Sequence, residues 1–213
     1  MNLDNKKDSA AGGDAKRQLI LDSAMAVVLR YGFQRTTMED VAREAGISRP
    51  ALYLLFANKT DIYRALAESL MSKALEAARA ALEAGGSAEE RVFRAVKAGI
   101  LEPTDLMMAT AHGAELLDMK HAMAADALQT WRAQKSAMIA GALETSGAAA
   151  AKGMSGAALA DILLDGMEGL KLRAKTSHER ESGARALVRL VAGRRPSPPW
   201  PAVVAGEAEV RGG

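Results

Sequence analysis

The sequence contains no cysteine, which excludes disulfide bonds and thiolate metal ligands. Aromatic residues make up only 4% of its 213 residues, whereas 49% are apolar, which predicts a core of aliphatic side chains and methionine. No apolar run approaches the roughly 18 residues of a membrane-spanning helix, and the N-terminus has no hydrophobic signal region. We therefore expect a cytoplasmic protein. The formal net charge of +2 indicates no particular class of partner.

Catalytic motifs are also missing. The sequence has no glycine-rich phosphate loop and no nucleophile elbow, and its three histidines, His112, His121 and His178, are scattered. His112 and Glu115 lie one helical turn apart, but a metal site needs three or four ligands. A histidine that lines a pocket or the surface is therefore the favoured interpretation. We predict no enzyme, no metal site and no cofactor.

Residues 37–56 read as two short helices joined by a tight turn. Thr37 is a suitable N-cap for the first helix, and Gly46 can end it in a left-handed conformation. Ser48 can cap a second helix whose first turn tolerates Pro50. Such a helix fits the major groove of B-DNA, where its N-terminal residues reach base edges. The pattern is typical of a helix-turn-helix, and a helical hairpin of an unrelated bundle is the alternative.

A wider set of residues matches a known family pattern: Tyr31, Gly32, Phe33, Thr36, Thr37, Val41, Ala42, Ala45, Gly46, Ile47, Ser48, Leu52, Tyr53, Phe56 and Lys59. With these residues, the run from about Asp14 to Met71 resembles the DNA-binding domain of the TetR (tetracycline-repressor) family of bacterial transcription regulators. The resemblance implies an all-α protein, with an N-terminal three-helix helix-turn-helix domain and a larger C-terminal helical domain for ligand binding and dimerisation. Leu54 and Leu55 depart from the family, which often has aromatic or histidine residues there, and leucine cannot hydrogen-bond a phosphate.

DNA recognition is predicted to fall mainly on the start of the second helix of the motif. The predicted DNA-binding residues are Thr37, Ser48, Arg49, Pro50, Ala51, Tyr53 and Lys59. The Arg49 guanidinium can form two hydrogen bonds with a guanine edge. Lys59 begins the next predicted helix and matches a position that contacts phosphate in the family.

The chain is predicted to divide into four parts: a disordered tail at 1–13, the DNA-binding domain at 14–71, an effector-binding and dimerisation domain at 72–195, and a disordered proline-rich tail at 196–213. Within the third part, residues 102–104 should interrupt the helices because they include Pro103. A longer helix is expected at about 118–145. The alanine- and glycine-rich residues 146–156 read as a mobile connection.

The C-terminal domain is predicted to hold an effector pocket. Methionine fills irregular gaps and is frequent on permissive binding surfaces, and although core packing explains any one of the methionines, together they favour an apolar ligand. Trp131 can act as a stacking wall for that ligand, with ordinary core packing as an equal alternative. The predicted pocket residues are Met107, Met108, His112, Met123, Trp131, Met138 and Met167.

The last two predicted helices carry apolar stripes that two helices alone would leave partly exposed. Pairing with a symmetric copy would make a four-helix bundle and cover them. The predicted dimer residues are Leu159, Ile162, Leu163, Gly166, Leu170, Ala184, Leu187, Val188 and Val191.

These features predict a homodimeric, sequence-specific DNA-binding regulator. The main hypothesis is a repressor that a small apolar effector releases from a palindromic operator, so double-stranded DNA, the effector and a second copy of the chain are the expected partners. A constitutive regulator or architectural DNA-binding protein without an effector is one alternative. A helical enzyme that uses a C-terminal cavity is another, but the sequence offers no convergent acid, base or metal residues for it.

Overall fold

The computed structural model describes residues 4–113 and 125–193, and every regular element in these two ranges is helical, which confirms the predicted all-α class. The elements are α1 (Asp4–Tyr31), α2 (Met38–Glu44), α3 (Arg49–Tyr53), α4 (Lys59–Glu83), α5 (Ala88–Val96), a π-helical segment (Lys97–Leu101), α6 (Glu102–Met108), α7 (Ala125–Thr145), α8 (Ala148–Lys152), α9 (Gly156–Arg173) and α10 (Ser177–Ala192). Within the described ranges, no helix has both the length and the apolar character needed to cross a bilayer.

Helices α1 to α3 and the first half of α4 surround one core. Its fully buried side chains include Ile20 of α1, Leu52 of α3, and Ile62 and Tyr63 of α4. Helix α1 packs against both α2 and α4, so these two long helices support the short pair α2–α3 from behind. Because α3 has only five residues, its helical conformation depends on this packing rather than on its own propensity.

The turn between α2 and α3 requires a left-handed residue, which is Gly46 with a φ of 64°. The Gly46 N–H donates to the Arg43 carbonyl at 3.2 Å, and the Ile47 N–H donates to the Ala42 carbonyl at 3.0 Å. This pattern is a Schellman-type helix end. A Cβ at Gly46 would meet no atom within 4 Å, so glycine is needed for its backbone conformation and not for space.

Helix α4 runs without a break through residue 71, where the sequence predicts a domain boundary. Its buried Leu66 belongs to the N-terminal core, whereas Ala78 and Leu82 belong to a second core. This C-terminal core is completed by side chains from α5, the π-helical segment and α7 to α10. One rigid helix therefore contributes to both cores.

The predicted N-terminal tail is largely helical, because α1 begins at Asp4 and not at Asp14. Extending an existing helix costs far less than nucleating a new one, so polar residues can join α1 despite their composition. The predicted tail at 196–213 and residues 118–124 of the predicted longer helix lie outside the described residues. Helix α7 ends at Thr145, the residue predicted for the end of that helix.

The predicted interruption at residues 102–104 is wrong, because helical residues continue from Ala88 to Met108. A π-type hydrogen bond runs from the Glu102 N–H to the Lys97 carbonyl immediately before Pro103. The wider turn accommodates a residue that has no N–H to donate. Proline is a reliable signal of a local irregularity here, but not of a helix end.

The predicted mobile connection at residues 146–156 contains a short helix, α8. Gly147 and Gly153 flank it with φ values of 74° and 66°. Ala148 and Ala149 are buried in the C-terminal core. Alanine has the highest helix propensity, so an alanine run between two left-handed glycines forms a helix once one side of it is covered.

A buried ion pair joins α6 to α10. Arg180 is 5% exposed, and its Nε donates to the Asp105 carboxylate at 2.7 Å while its Nη2 donates to the same oxygen. The Ser177 hydroxyl donates to the other Asp105 oxygen. The Arg180 guanidinium also donates to the Ala174 carbonyl at 3.5 Å. The packing of α6 on α10 therefore depends on a charge that has one carboxylate partner.

We predict that Asp105→Asn lowers the free energy of unfolding by about 2–4 kcal/mol, because Arg180 would keep a buried charge without a carboxylate. The control Asp165→Asn removes the partner of Arg132 from a pair in which Asp165 is 73% exposed, and should cost at most about 1 kcal/mol. Urea unfolding of both variants at one protein concentration measures the difference. Equal losses would show that the Asp105–Arg180 pair contributes no more than a surface pair.

Candidate nucleic-acid interface

A reciprocal cap fixes the start of α2. The Thr37 Oγ1 accepts from the Asp40 N–H at 3.2 Å, while Asp40 accepts from the Thr37 hydroxyl at 2.6 Å and its N–H at 3.0 Å. These hydrogen bonds from Thr37 hold the pKa of Asp40 below its usual value. Arg43 adds an ion pair with Asp40 at 2.5 Å. Thr37 is thus an N-cap, as the sequence predicts, and it remains exposed at the start of α2.

Helix α3 turns its first residues outward. The predicted contact residues in this region are all exposed or half-buried: Ser48, Arg49, Pro50, Ala51 and Tyr53. Ser48 is the N-cap, and its Oγ accepts from the Ala51 N–H at 3.3 Å. Leu52 is fully buried and anchors the opposite side of the helix. An inward anchor with an outward N-terminal turn is the geometry that reading a major groove requires.

Arg49 makes an ion pair that the sequence did not reveal. Its Nη1 lies 3.6 Å from Glu39 of α2, and the two side chains are 57% and 64% exposed. Exposed pairs of this kind contribute at most about 1 kcal/mol. The guanidinium can therefore exchange Glu39 for a guanine edge at little cost.

Lys59 has an internal role in addition to its predicted phosphate contact. Its Nζ donates to the Phe33 carbonyl at 2.9 Å and to the Gln34 carbonyl at 3.4 Å, and lies 4.5 Å from the centre of the Phe33 ring. The Phe33 ring packs edge-to-face on Tyr63, with 4.5 Å between ring centres. An ammonium has three N–H donors, so a phosphate can still accept from the third. Lys59 and Phe33 are far apart in sequence, and no local pattern predicts their contact.

Leu54, one of the two leucines that depart from the family pattern, has an exposure that reasoning from the sequence did not predict. It is 85% exposed, next to Tyr53, which is 46% exposed. The signal that could have found it is helical phase, because Leu52 and Phe56 face the core and Leu54 lies opposite them. Leucine offers no hydrogen bond, but it can contact the methyl group of thymine.

The residues predicted to line an effector pocket separate into different surroundings. Met107 is 5% exposed and packs in the N-terminal core. It therefore forms a contact between the domains and does not line a pocket. Met108 is half exposed and His112 is half-buried, while Met123 lies outside the described residues. Within the described ranges, no group of three or more acidic or histidine side chains is arranged to hold a metal.

Met138 and Met167 belong to the C-terminal core instead, and Met167 is 1% exposed. A methionine in such a position fills space between apolar side chains and has little surface to offer a ligand. Trp131, another of the predicted pocket residues, lies beside the charged residue Lys135. This contact was not predicted from the sequence.

Lys135 is 6% exposed, and its Nζ lies 3.3 Å from the centre of the Trp131 ring. The pKa of Lys135 is lowered to about 7, mainly by burial and also by repulsion from Lys171 and Arg132, while Glu168 opposes the shift. The Trp131 Nε1 is also buried, with no acceptor among the described residues. The spacing of four residues on one helix was the signal for this pair.

The structure contradicts the assignment of most of the predicted dimer residues to a dimer interface. Six of them are buried in the C-terminal core of a single chain and have no surface for a second copy: Leu159, Leu163, Leu170, Ala184, Val188 and Val191. The predicted stripes are real, but α9 and α10 use them to pack on α5, α7 and each other. Ile162 is 49% exposed, while Gly166 and Leu187 are half-buried.

An apolar groove of about 390 Å³ lies on the outer side of α9 and α10. Leu187 and Leu190 line it, and Leu190 is 70% exposed. Gly166 permits the close packing of α9 on α10, because a Cβ there would lie 2.9 Å from Leu187. Gly169 also lines the groove but faces open space, with no atom within 4 Å of its Cβ position.

Comparison with known proteins supports the interpretation of the N-terminal domain. Residues 20–66 match the family model of bacterial regulatory proteins of the tetR family. The chain is 37% identical over 62 residues to YfiR of Bacillus subtilis, an uncharacterised HTH-type transcriptional regulator, a match that covers 29% of this chain and 30% of the relative. The matched regions span less than half the length of the curated relatives.

Solved structures extend the likeness to the C-terminal domain. A TetR/AcrR-family regulator from Thermobifida fusca has a TM-score of 0.64 at 19% identity, over 82% of this chain and 97% of its own. SmeT, the repressor of the Stenotrophomonas maltophilia multidrug efflux pump SmeDEF, has a TM-score of 0.59 at 18% identity, over 85% and 96%. SmeT has also been solved in complex with triclosan. At these identities, the comparisons establish a shared fold.

The family match at residues 20–66 covers the helix-turn-helix, and the shared fold covers most of the chain. The relatives are transcriptional regulators, in agreement with the prediction that this chain is not an enzyme. The N-terminal domain is therefore similar to the DNA-binding domain of bacterial regulatory proteins of the tetR family, and the chain as a whole shares the fold of solved regulators of that family.

Proposed function

We propose that this chain regulates transcription by binding a palindromic DNA operator as a homodimer. The observation that carries the proposal is the outward first turn of α3, whose Arg49 and Tyr53 are exposed while Leu52 anchors the helix. A helix presented in this way enters a major groove with its N-terminal residues against the base edges.

Each predicted contact residue has a distinct part in this proposal. Arg49 binds a base edge, because its only ion pair among the described residues, with Glu39, is exposed and easily exchanged. Thr37 and Ser48 bring phosphate to the N-termini of α2 and α3, where free N–H groups and the helix dipole favour an anion. Tyr53 and the third N–H of Lys59 contact the DNA backbone. Pro50 and Ala51 allow α3 to approach the DNA closely.

The groove on α9 and α10 supports a second copy of the chain as the dimer partner. A palindromic operator needs two reading helices related by a two-fold axis, about 34–36 Å apart or a multiple of that distance. The groove is apolar, and Leu190 would lose its exposure on pairing. Gly169 faces open space in the single chain and leaves room for a partner helix.

We further propose a repressor that a small apolar effector releases from DNA in the bacterial cytoplasm. SmeT, which shares the fold, is a repressor and has been solved with triclosan, a small molecule. The effector must bind the released conformation more tightly than the DNA-bound one, since otherwise it could not shift the equilibrium. Titrating a bound operator with apolar compounds separates this proposal from a constitutive DNA-binding protein, which none of them would release.

Arg49→Ala and Lys59→Ala should weaken DNA binding in different ways. Removal of the Arg49 guanidinium should cost about 1–3 kcal/mol and relax the preference at one base pair per half-site. Lys59→Ala should weaken all sequences alike and lower the salt slope by about one unit for each phosphate that the lysine binds. Because Lys59 also bonds to the Phe33 carbonyl, its variant should melt at a lower temperature as well.

The control for both is Arg79→Ala, which removes an exposed cation from the second half of α4. All variants are measured on the operator and its single-base mutants across a salt series. Full base preference in Arg49→Ala together with altered preference in Lys59→Ala would mean that the two roles are reversed.

Leu190→Glu should give monomers with much weaker operator binding, because a charge in an apolar groove prevents pairing. The control Met154→Glu places the same charge at a residue that is 41% exposed outside the groove, and should remain dimeric. Leu163→Glu is unsuitable because Leu163 is fully buried, so that variant tests folding. Sedimentation that finds intact Leu190→Glu dimers would refute this assignment of the interface.

A further inference from the structure

Lys135 and Trp131 bring an ammonium and a buried indole N–H to one face of α7. Lys135 is 6% exposed and forms no hydrogen bond or ion pair with the other described residues. Its Nζ lies over the Trp131 ring at 3.3 Å, and the Trp131 Nε1 is buried without an acceptor in the described part of the chain. The indole N–H therefore needs an acceptor that the described residues do not provide, and the Lys135 ammonium has no carboxylate partner among them.

The cations around Lys135 do have carboxylate partners. Arg132 pairs with Asp165 at 2.7 Å, and Lys171 pairs with Glu168 at 2.9 Å. The Lys135 ammonium has the indole ring instead, which compensates a buried charge much less than a carboxylate does. An arriving anion would thus meet a buried cation without first displacing a carboxylate bound to it.

The position of the pair on α7 is suited to a ligand that acts on both domains. One turn before Trp131, Leu128 packs against the N-terminal core. One turn after Lys135, Ile139 is 5% exposed in the C-terminal core. A group bound between these turns would lie between the two cores, beside apolar side chains.

We propose that Lys135 and the Trp131 Nε1 bind the acidic group of an apolar effector, with Lys135 pairing with its anionic oxygen. A carboxylate on an alkyl chain and an ionised phenol share this chemistry. The inference rests on the proposed function where it calls the ligand an effector. Binding of the ligand to the protein can be measured without DNA.

Direct binding can be followed through Trp131. The chain has two tryptophans, so Trp200→Phe leaves Trp131 as the sole tryptophan fluorophore. At pH 6.5, dodecanoic acid should change its fluorescence and bind at least about tenfold more tightly than dodecan-1-ol, which keeps the chain and lacks the charge. A chlorinated phenol and its methyl ether form the second arm, and tell whether a phenolate or a carboxylate is preferred.

Lys135→Met should abolish the preference for the acid while leaving the binding of the alcohol unchanged. Methionine keeps the length and apolar stem of lysine, and removal of an unpaired buried charge should raise the melting temperature. The gain should be larger at pH 6 than at pH 9, where Lys135 in the folded wild type is already neutral. The control Lys175→Met removes an exposed lysine and should change neither property.

The affinity for the acid should also depend on pH. Pairing needs the protonated ammonium, so affinity is full below the pKa of about 7 and falls by on the order of tenfold between pH 6.5 and 8.5. Among the described residues, the charged groups that face Lys135 are Arg132 on α7, and Glu168 and Lys171 on α9. The affinity for the alcohol should be the same at both pH values.

Three results would overturn the inference: equal affinity of the wild type for acid and alcohol, an unchanged preference for the acid in Lys135→Met, or no binding of any of the four probes. Operator binding is measured on the same samples. If the operator binds and the probes do not, the acidic-effector site is refuted while the DNA-binding function stands. If the probes bind as expected and no operator does, the ligand site stands and the proposed function fails.

Discussion

A five-residue helix is not stable by itself in water, and α3, the helix proposed to enter the major groove, has only five residues. Its conformation and direction come from two constraints. The left-handed Gly46 ends α2 and directs the chain into α3, and the burial of Leu52 holds α3 against the N-terminal core. With the inner side held in this way, the outward residues of α3 contribute little to the core and remain available for the proposed contacts with DNA. Under the proposed function, the contacts with DNA therefore depend on a short segment that its surroundings keep in place.

Two long helices connect this segment to the rest of the chain. Helix α4 contributes Leu66 to one core and Leu82 to the other, and α7 contributes Leu128 and Leu143 in the same manner. Met107 of α6 reaches into the N-terminal core as well, while its neighbour Asp105 is tied to α10. A displacement of α6 or α7 would thus change the packing of both cores, because close-packed interiors transmit strain.

The two buried cations in the described part of the C-terminal domain have opposite surroundings. Arg180 has a carboxylate, a carbonyl and a supporting serine around it, which is what a structural ion pair needs. Lys135 has an indole ring, with Glu168 as its nearby carboxylate occupied by Lys171. Such an arrangement lowers the stability of the isolated chain, and groups with a strongly shifted pKa are concentrated at functional sites.

The sequence by itself determined the local structure of the N-terminal domain. Caps, left-handed glycines and helical periodicity depend on neighbours within about four residues, so the roles of Thr37, Gly46 and Ser48 follow correctly from the residues beside them. Tertiary structure alone decided the contacts between distant residues: Lys59 with Phe33, Asp105 with Arg180, and the side of α9 and α10 that a single chain already buries. An apolar stripe indicates that a helix face is covered, but not what covers it. For this reason Leu163 is predicted to lie in a dimer interface, whereas it is buried in the core of a single chain. Only the packing of the folded chain shows what covers a helix face, because the same periodicity is compatible with a helix of the same chain or of a second copy.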